Sequence, residues 1–165
     1  MKNVMMLMLL ATGFAGCASG DTAQAPSPHL GPEEGPYRVK RVLSGDLIEL
    51  ANGESIRYAG IIAPKPGEAF FEEARLRNDQ FVVGKDVEVH LRVLEGKRDE
   101  EGRRFASVLV PAKTLDVSVL VNTSLLESGL ARIDYHTVPE GFEPFFEVKE
   151  DRARRAGRGI WESTR

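Results

Sequence analysis

The sequence predicts a small α+β barrel. Strand signals crowd the first half of the folded part and helical spacings enter late, an order that argues against a βαβ sheet. The length points the same way: 165 residues suffice for one domain with appendages and a real core, but not for two. No internal repeat is visible.

Taken in order, Tyr37 to Leu43 is β-branched and basic and reads as a strand. Ile48 to Leu50 and Ser55 to Ile61 flank Asn52-Gly53, two residues that tolerate φ > 0 and so predict a hairpin turn. Val87, Val89, Leu91 and Val93 alternate with Glu88, His90 and Arg92, the period of a half-buried strand. Phe105 to Val110 and a short piece near Leu115 to Val117 complete the strands. A first helix is expected to begin near Pro66, to carry Phe70, Ala74, Asn78 and Phe81 on one face, and to stop at Gly84. A second holds Val121, Leu125 and Leu126 and closes at Gly129. Phe142, Phe145, Phe146, Ala153 and Ala156 suggest a third, with Pro144 near its start and Gly157 at its end.

Twenty-two basic against 25 acidic residues leave a net charge of −3. An acidic chain is not built to coat nucleic acid everywhere, so any phosphate contact must come from a local basic cluster. The N-terminus reads as an address. Lys2 precedes an apolar run from Val4 to Leu10, which is too short to span a bilayer. It ends in Phe14-Ala15-Gly16-Cys17, which resembles a bacterial lipoprotein signal. Residues 1–16 are therefore expected to be removed and Cys17 to be lipidated, holding the chain to a membrane of the bacterial envelope. Ala18 after the cysteine favours the outer membrane over the inner. Cys17 is the only cysteine, which rules out a disulfide within the chain. Residues 17–36, rich in Ala, Ser, Thr, Gly and Pro, are expected to be a tether, and 37–165 the folded domain.

Three segments carry the chemistry: Ser44-Gly45-Asp46-Leu47, then Arg57 followed by Ile62-Ala63-Pro64-Lys65, then Asp99-Glu100-Glu101-Gly102-Arg103. With Val121-Asn122, Gly129-Leu130-Ala131 and Gly159-Ile160-Trp161, they resemble the staphylococcal nuclease (thermonuclease-like) family from Tyr37 to about Ser163. The resemblance implies a five-stranded OB-type β-barrel with about three helices packed on it. It also implies a site in which two aspartates hold Ca²⁺, a glutamate activates water and two arginines grip the phosphate. By motif, Asp46 matches the first metal-binding aspartate, and Arg57 and Arg103 the two arginines. Ile62 stands where the second aspartate would be, and Lys65 replaces the glutamate. Leu47 for the motif threonine and Glu101 for an aromatic are further departures. Tyr135 matches a tyrosine that lines the family's nucleotide pocket, and packing against the barrel rim is its alternative role.

Ca²⁺ needs six to eight oxygen ligands, several of them charged. Isoleucine removes one ligand, and lysine inverts the charge where a base would stand. A general base supplies roughly 10²–10⁴ in rate and a metal several kcal/mol more, so both losses argue against catalysis. Glu68, Glu72 and Glu73 are the carboxylates placed to substitute, though the first turn of a helix is their other reading. Arg57, Lys65 and Arg103 are expected to gather positive charge in one concavity, against the alternative that the arginines are paired with Asp46 or Asp99. His29, His90 and His136 lack metal spacing. Lys149, Arg152, Arg154, Arg155 and Arg158 alternate with acids as a solvated helix face would, and Trp161 is expected to pack.

Three functional readings follow. The first is a membrane-anchored domain with an eroded site that binds nucleic acid, a nucleotide or another polyanion without efficient cleavage, and with no cofactor. The second is an active metal-dependent phosphodiesterase, the only reading that calls for Ca²⁺. The third is an envelope interaction module whose cleft has no role.

Overall fold

The computed structural model describes residues 30–84, 87–112 and 117–164. The signal, Cys17, His29 and most of the expected tether therefore lie outside the described residues. No helix among the described residues is long and apolar enough to cross a membrane.

The architecture is α+β, with three α-helices among the described residues against a mixed sheet, as the sequence predicts. The first strand is not one the sequence announced. β1 spans Leu30–Tyr37 and pairs antiparallel with β6 (Val89–Arg98), so residues 30–36 belong to the sheet rather than to the tether. Pro and Gly hid this strand from the period-2 test, and its register is interrupted on both sides of Glu33-Glu34. Leu30 and Leu94 are buried against each other's neighbourhood in a small satellite core with Ala59.

β2 (Val39–Ser44), β3 (Leu47–Leu50) and β4 (Ser55–Tyr58) form the expected meander. The hairpin turns at Asn52-Gly53, where Gly53 takes φ 90° and the Asn52 side chain accepts the Glu54 N–H at 3.0 Å. The single strand expected from Ser55 to Ile61 is instead two: β4 ends at Tyr58, and β5 (Ile61–Ile62) leaves the main sheet to pair with β9 (Arg132–Ile133). Gly60 makes the break, with φ 76° and the Phe146 ring so close that a Cβ would lie 2.5 Å from it.

β4 runs parallel to β7 (Arg104–Pro111), which also pairs antiparallel with β6. The described pairings give the order β1-β6-β7-β4-β3-β2 in a seven-stranded sheet, in which β2, β3, β4, β6 and β7 answer to expected strands, β1 is an addition and β8 pairs with β7. The last sheet strand, β8, is Ser118–Leu120 rather than the expected Leu115 to Val117, of which 115 and 116 lie outside the described residues.

α1 is Phe71–Val82, five residues later than Pro66 suggested. Residues 66–70 are a turn instead, with Gly67 at φ 91° and Phe70 left-handed at φ 65°. α2 (Val121–Glu127) closes at Gly129 (φ 71°), and α3 (Glu143–Ala156) carries Pro144 in its first turn and ends on left-handed Gly157, as predicted. Gly129 and Gly159 approach so closely that a Cβ on either would lie 2.2 Å from backbone oxygen, which fixes glycine at both. The core lies between the sheet and the helices: Ile48, Ile56 and Val108 from strands meet Val82, Leu125 and Phe146 from helices.

Candidate functional site

Asp46 sits in the tight β2–β3 connection, 3 % exposed. Gly45 allows that turn to press against α1, since a Cβ there would lie 2.7 Å from Ala63 Cβ and 2.8 Å from Ala74 Cβ. A buried relay holds the turn: the Tyr58 hydroxyl donates to Asn78 Oδ1 at 2.7 Å, and Asn78 Nδ2 donates to the Ser44 carbonyl at 3.1 Å. Burial pushes the Tyr58 phenol well above its ordinary pKa, so it remains a donor.

The Asp46 carboxylate is already occupied. Oδ1 accepts the Ser44 hydroxyl at 2.6 Å, Oδ2 accepts the Ala63 N–H at 3.2 Å, and Arg57 Nη1 stands 3.8 Å from Oδ1. Arg57, on β4, makes no closer ion pair with an acid among the described residues, and its side chain is 29 % exposed. Its guanidinium therefore keeps donors to offer.

Arg103 is different. Its Nε donates to Asp99 Oδ2 at 2.6 Å and its Nη2 to Glu101 Oε2 at 2.7 Å. The Asp99-to-Arg103 turn is closed by backbone as well, with the Arg103 N–H on Asp99 Oδ1 at 2.8 Å. Burial opposes ionisation of Asp99, and the hydrogen bonds from Arg103 outweigh it, holding the carboxyl below the usual range. A carboxylate depressed in the folded state contributes stability that is complete above its unfolded pKa of about 4 and is lost as pH falls through the folded value. Arg103→Gln should raise the Asp99 pKa, measured by NMR titration. Its destabilisation relative to the unaltered chain should be largest above about pH 4 and shrink in acid.

Ile62, in β5, is 48 % exposed and forms one wall of a pocket of about 460 Å³. Lys65 lies on the same lining, facing Arg132 and Ile133 of β9 and Ile160 beyond α3. Arg57, Arg103 and Asp46 are not among its lining residues. The expected single concavity of three cations is thus divided: Arg57 stays with Asp46, Arg103 with Asp99 and Glu101, and Lys65 joins Arg132. Sequence separation hid Arg132, which reaches the pocket only because β9 pairs with β5.

The remaining candidates take their bland roles. Tyr135 is 60 % exposed and donates to Glu147 at 3.3 Å, and partial desolvation with the Glu147 charge raises its pKa. Glu68 accepts the Lys65 backbone N–H at 2.8 Å, while Glu72 pairs with Arg75. His90 meets Glu33, and His136 is an exposed turn residue. On the α3 side, Lys149 and Arg152 reach Glu127, Arg154 reaches Glu150, Arg155 reaches Asp151, and Arg158 donates to the Glu127 carbonyl. Trp161 is half-buried, with Arg154 4.2 Å and Arg132 5.8 Å from its ring.

These residues do not fit Ca²⁺. Asp46 offers one carboxylate whose oxygens already serve three neighbours, Ile62 offers no side-chain oxygen, and no three His, Cys, Asp or Glu residues among those described converge as ligands. What the arrangement offers is anion recognition by guanidinium and ammonium groups.

An α+β domain with a buried aspartate beside an arginine at the β2–β4 corner is the frame of a nuclease-type fold, and comparison with known proteins agrees. A family model described as "Staphylococcal nuclease homologue" matches residues 55–163. Over 130 residues the chain is 31 % identical to a protein of Shigella flexneri named Micrococcal nuclease, covering 74 % of this chain and 71 % of that one. Over 126 residues it is 30 % identical to an uncharacterized 38.1 kDa protein of Capnoides sempervirens, covering 75 % of this chain but 33 % of that protein's length. The chain belongs to the staphylococcal nuclease homologue family.

Proposed function

We propose that this domain binds a phosphate-bearing anion through Arg57 and does not cleave it efficiently. One observation carries the reading: the only acid left at the family's metal and base positions, Asp46, is consumed by Ser44, Ala63 and Arg57, while Arg57 retains free donors. The binding step is electrostatic. A phosphate oxygen replaces water on the guanidinium, and Asp46 orients that guanidinium from behind at 3.8 Å. Lys65 stands at the family's base position, which therefore supplies no carboxylate to take a proton from water. The proposal extends to the envelope: Cys17 carries the lipid and the chain acts beside a membrane.

The test measures binding of the full chain to a short single-stranded oligonucleotide, and its cleavage with Ca²⁺ or with chelator. Affinity should fall with rising salt. Arg57→Gln should weaken binding roughly tenfold or more, the worth of a charge-assisted hydrogen bond. Chelator-sensitive cleavage by the unaltered chain would replace this reading with the phosphodiesterase one, which kinship to a protein named Micrococcal nuclease favours. The capture of Arg103 by Asp99 and Glu101 favours the interaction-module reading, under which reversing the charge of Arg57 and Arg103 leaves function intact. Mass spectrometry of the N-terminal peptide tests the anchor, and an unmodified Cys17 removes it.

A further inference from the structure

We infer that the pocket between β5, β9 and the 64–70 turn is a separate binding site for an amphipathic anion, a single phosphate or carboxylate head on an apolar body. Its size, about 460 Å³, falls within the range of small-molecule sites. The lining is of two kinds. Ile62, Phe70, Ile133 and Ile160 supply apolar wall, and Lys65 and Arg132 supply positive charge.

The charges are available. Lys65 makes no side-chain hydrogen bond or ion pair with any described residue, and Arg132 has only the Trp161 ring, 5.8 Å away. The one carboxylate on the lining, Glu68, is turned to the Lys65 backbone N–H at 2.8 Å and leaves a net charge of about +1. Other described cations are held by acids, as Arg104 by Glu34 and Glu54, Lys149 by Glu127 and Arg103 by Asp99, or by neutral oxygens, as Arg92 by the Gly31 carbonyl and Arg77 by the Gln80 amide. Two unpartnered cations over an apolar wall stand apart from that pattern.

Ile62 and Lys65 are the two residues that depart from the family's metal and base positions, and here both are lining. The substitutions that remove cleavage chemistry therefore build this pocket. A bare phosphate would leave the isoleucines wet, and a neutral apolar molecule would leave two charges facing it without a partner. A ligand with both parts satisfies both surfaces. Because Arg57 and Arg103 do not line the pocket, this site and the Arg57 cleft stand or fall separately.

Trp161 provides the readout: it is the only tryptophan in the chain, and Arg132 lies over its ring. The full chain is titrated with octyl phosphate below its micelle concentration, and in parallel with octanol and with inorganic phosphate. A saturable change in Trp161 emission is expected with octyl phosphate, with octanol and inorganic phosphate at least tenfold weaker. Arg132→Gln and, independently, exposed Lys65→Gln should each weaken octyl phosphate about tenfold at unchanged far-UV circular dichroism. Equal affinity for octanol, or unchanged affinity in both variants, overturns the site. Loss of octyl phosphate binding in Arg57→Gln would assign the head group to the other cleft and overturn it as well.

Discussion

A chain carrying both Ile62→Asp and Lys65→Glu is expected to cleave DNA in the presence of Ca²⁺ at least about 10²-fold faster than the unaltered chain, the lower end of what a positioned base contributes. Chelator should abolish that activity. The backbone is already arranged for it. Ala63, the residue after Ile62, donates its N–H to Asp46 Oδ2 at 3.2 Å, so a carboxylate at 62 lies one residue from a contact with the buried acid. Position 62 is 48 % exposed, which spares a new carboxylate most of the cost of desolvation. Lys65 is exposed, and reversing its charge breaks no side-chain contact among the described residues. A fluorogenic DNA substrate reads the outcome. An inactive double variant with native circular dichroism would mean that more than these two positions has been lost, with Glu101 on Arg103 the first place to look.

Asn122→Ala is expected to destabilise the domain by roughly 2–6 kcal/mol, from about 1–3 kcal/mol for each of two buried groups left without a partner. Asn122 is fully buried at the start of α2 and joins three pieces of chain. Its Oδ1 accepts the Val108 N–H at 2.9 Å, and its Nδ2 donates to the Ala59 carbonyl at 2.8 Å and the Ala106 carbonyl at 3.2 Å. The Ala106 carbonyl keeps the Ala59 N–H at 2.9 Å, so the groups orphaned are the Val108 N–H and the Ala59 carbonyl. Against a total stability of about 5–15 kcal/mol the loss is large. Urea unfolding followed by Trp161 emission measures it, and a change below about 0.5 kcal/mol would mean that water replaces the amide.

The helices and the hairpin were legible because their signals are local. Gly129, Pro144, Gly157 and Asn52-Gly53 carry local backbone signals, and each stands where its backbone conformation predicts. β1 was missed because its Pro and Gly residues mask a strand that exists only through pairing with β6. The break at Gly60 was missed because its cause is Phe146, 86 positions away, pressing on the bend. The start of α1 was misplaced because Pro66 permits a helix start without requiring one, and the left-handed Phe70 delays it.

The candidate site divides along the same line. Residue identity showed which family groups are missing: isoleucine brings no side-chain oxygen to a metal position, and lysine brings no carboxylate to the base position. Family membership, too, was written in the motifs and their order. Tertiary structure alone decided which charges are free. Arg57 and Arg103 look equivalent in the sequence, yet one keeps open donors beside Asp46 and the other is closed by Asp99 and Glu101. Arg132 carries no signal in its own segment and gains its place on the pocket that Lys65 lines from the β5–β9 pairing, where it stands opposite Ile62. Availability depends on distances of a few ångströms between residues remote in sequence, because charge pairing decays over that range and chain order does not encode it.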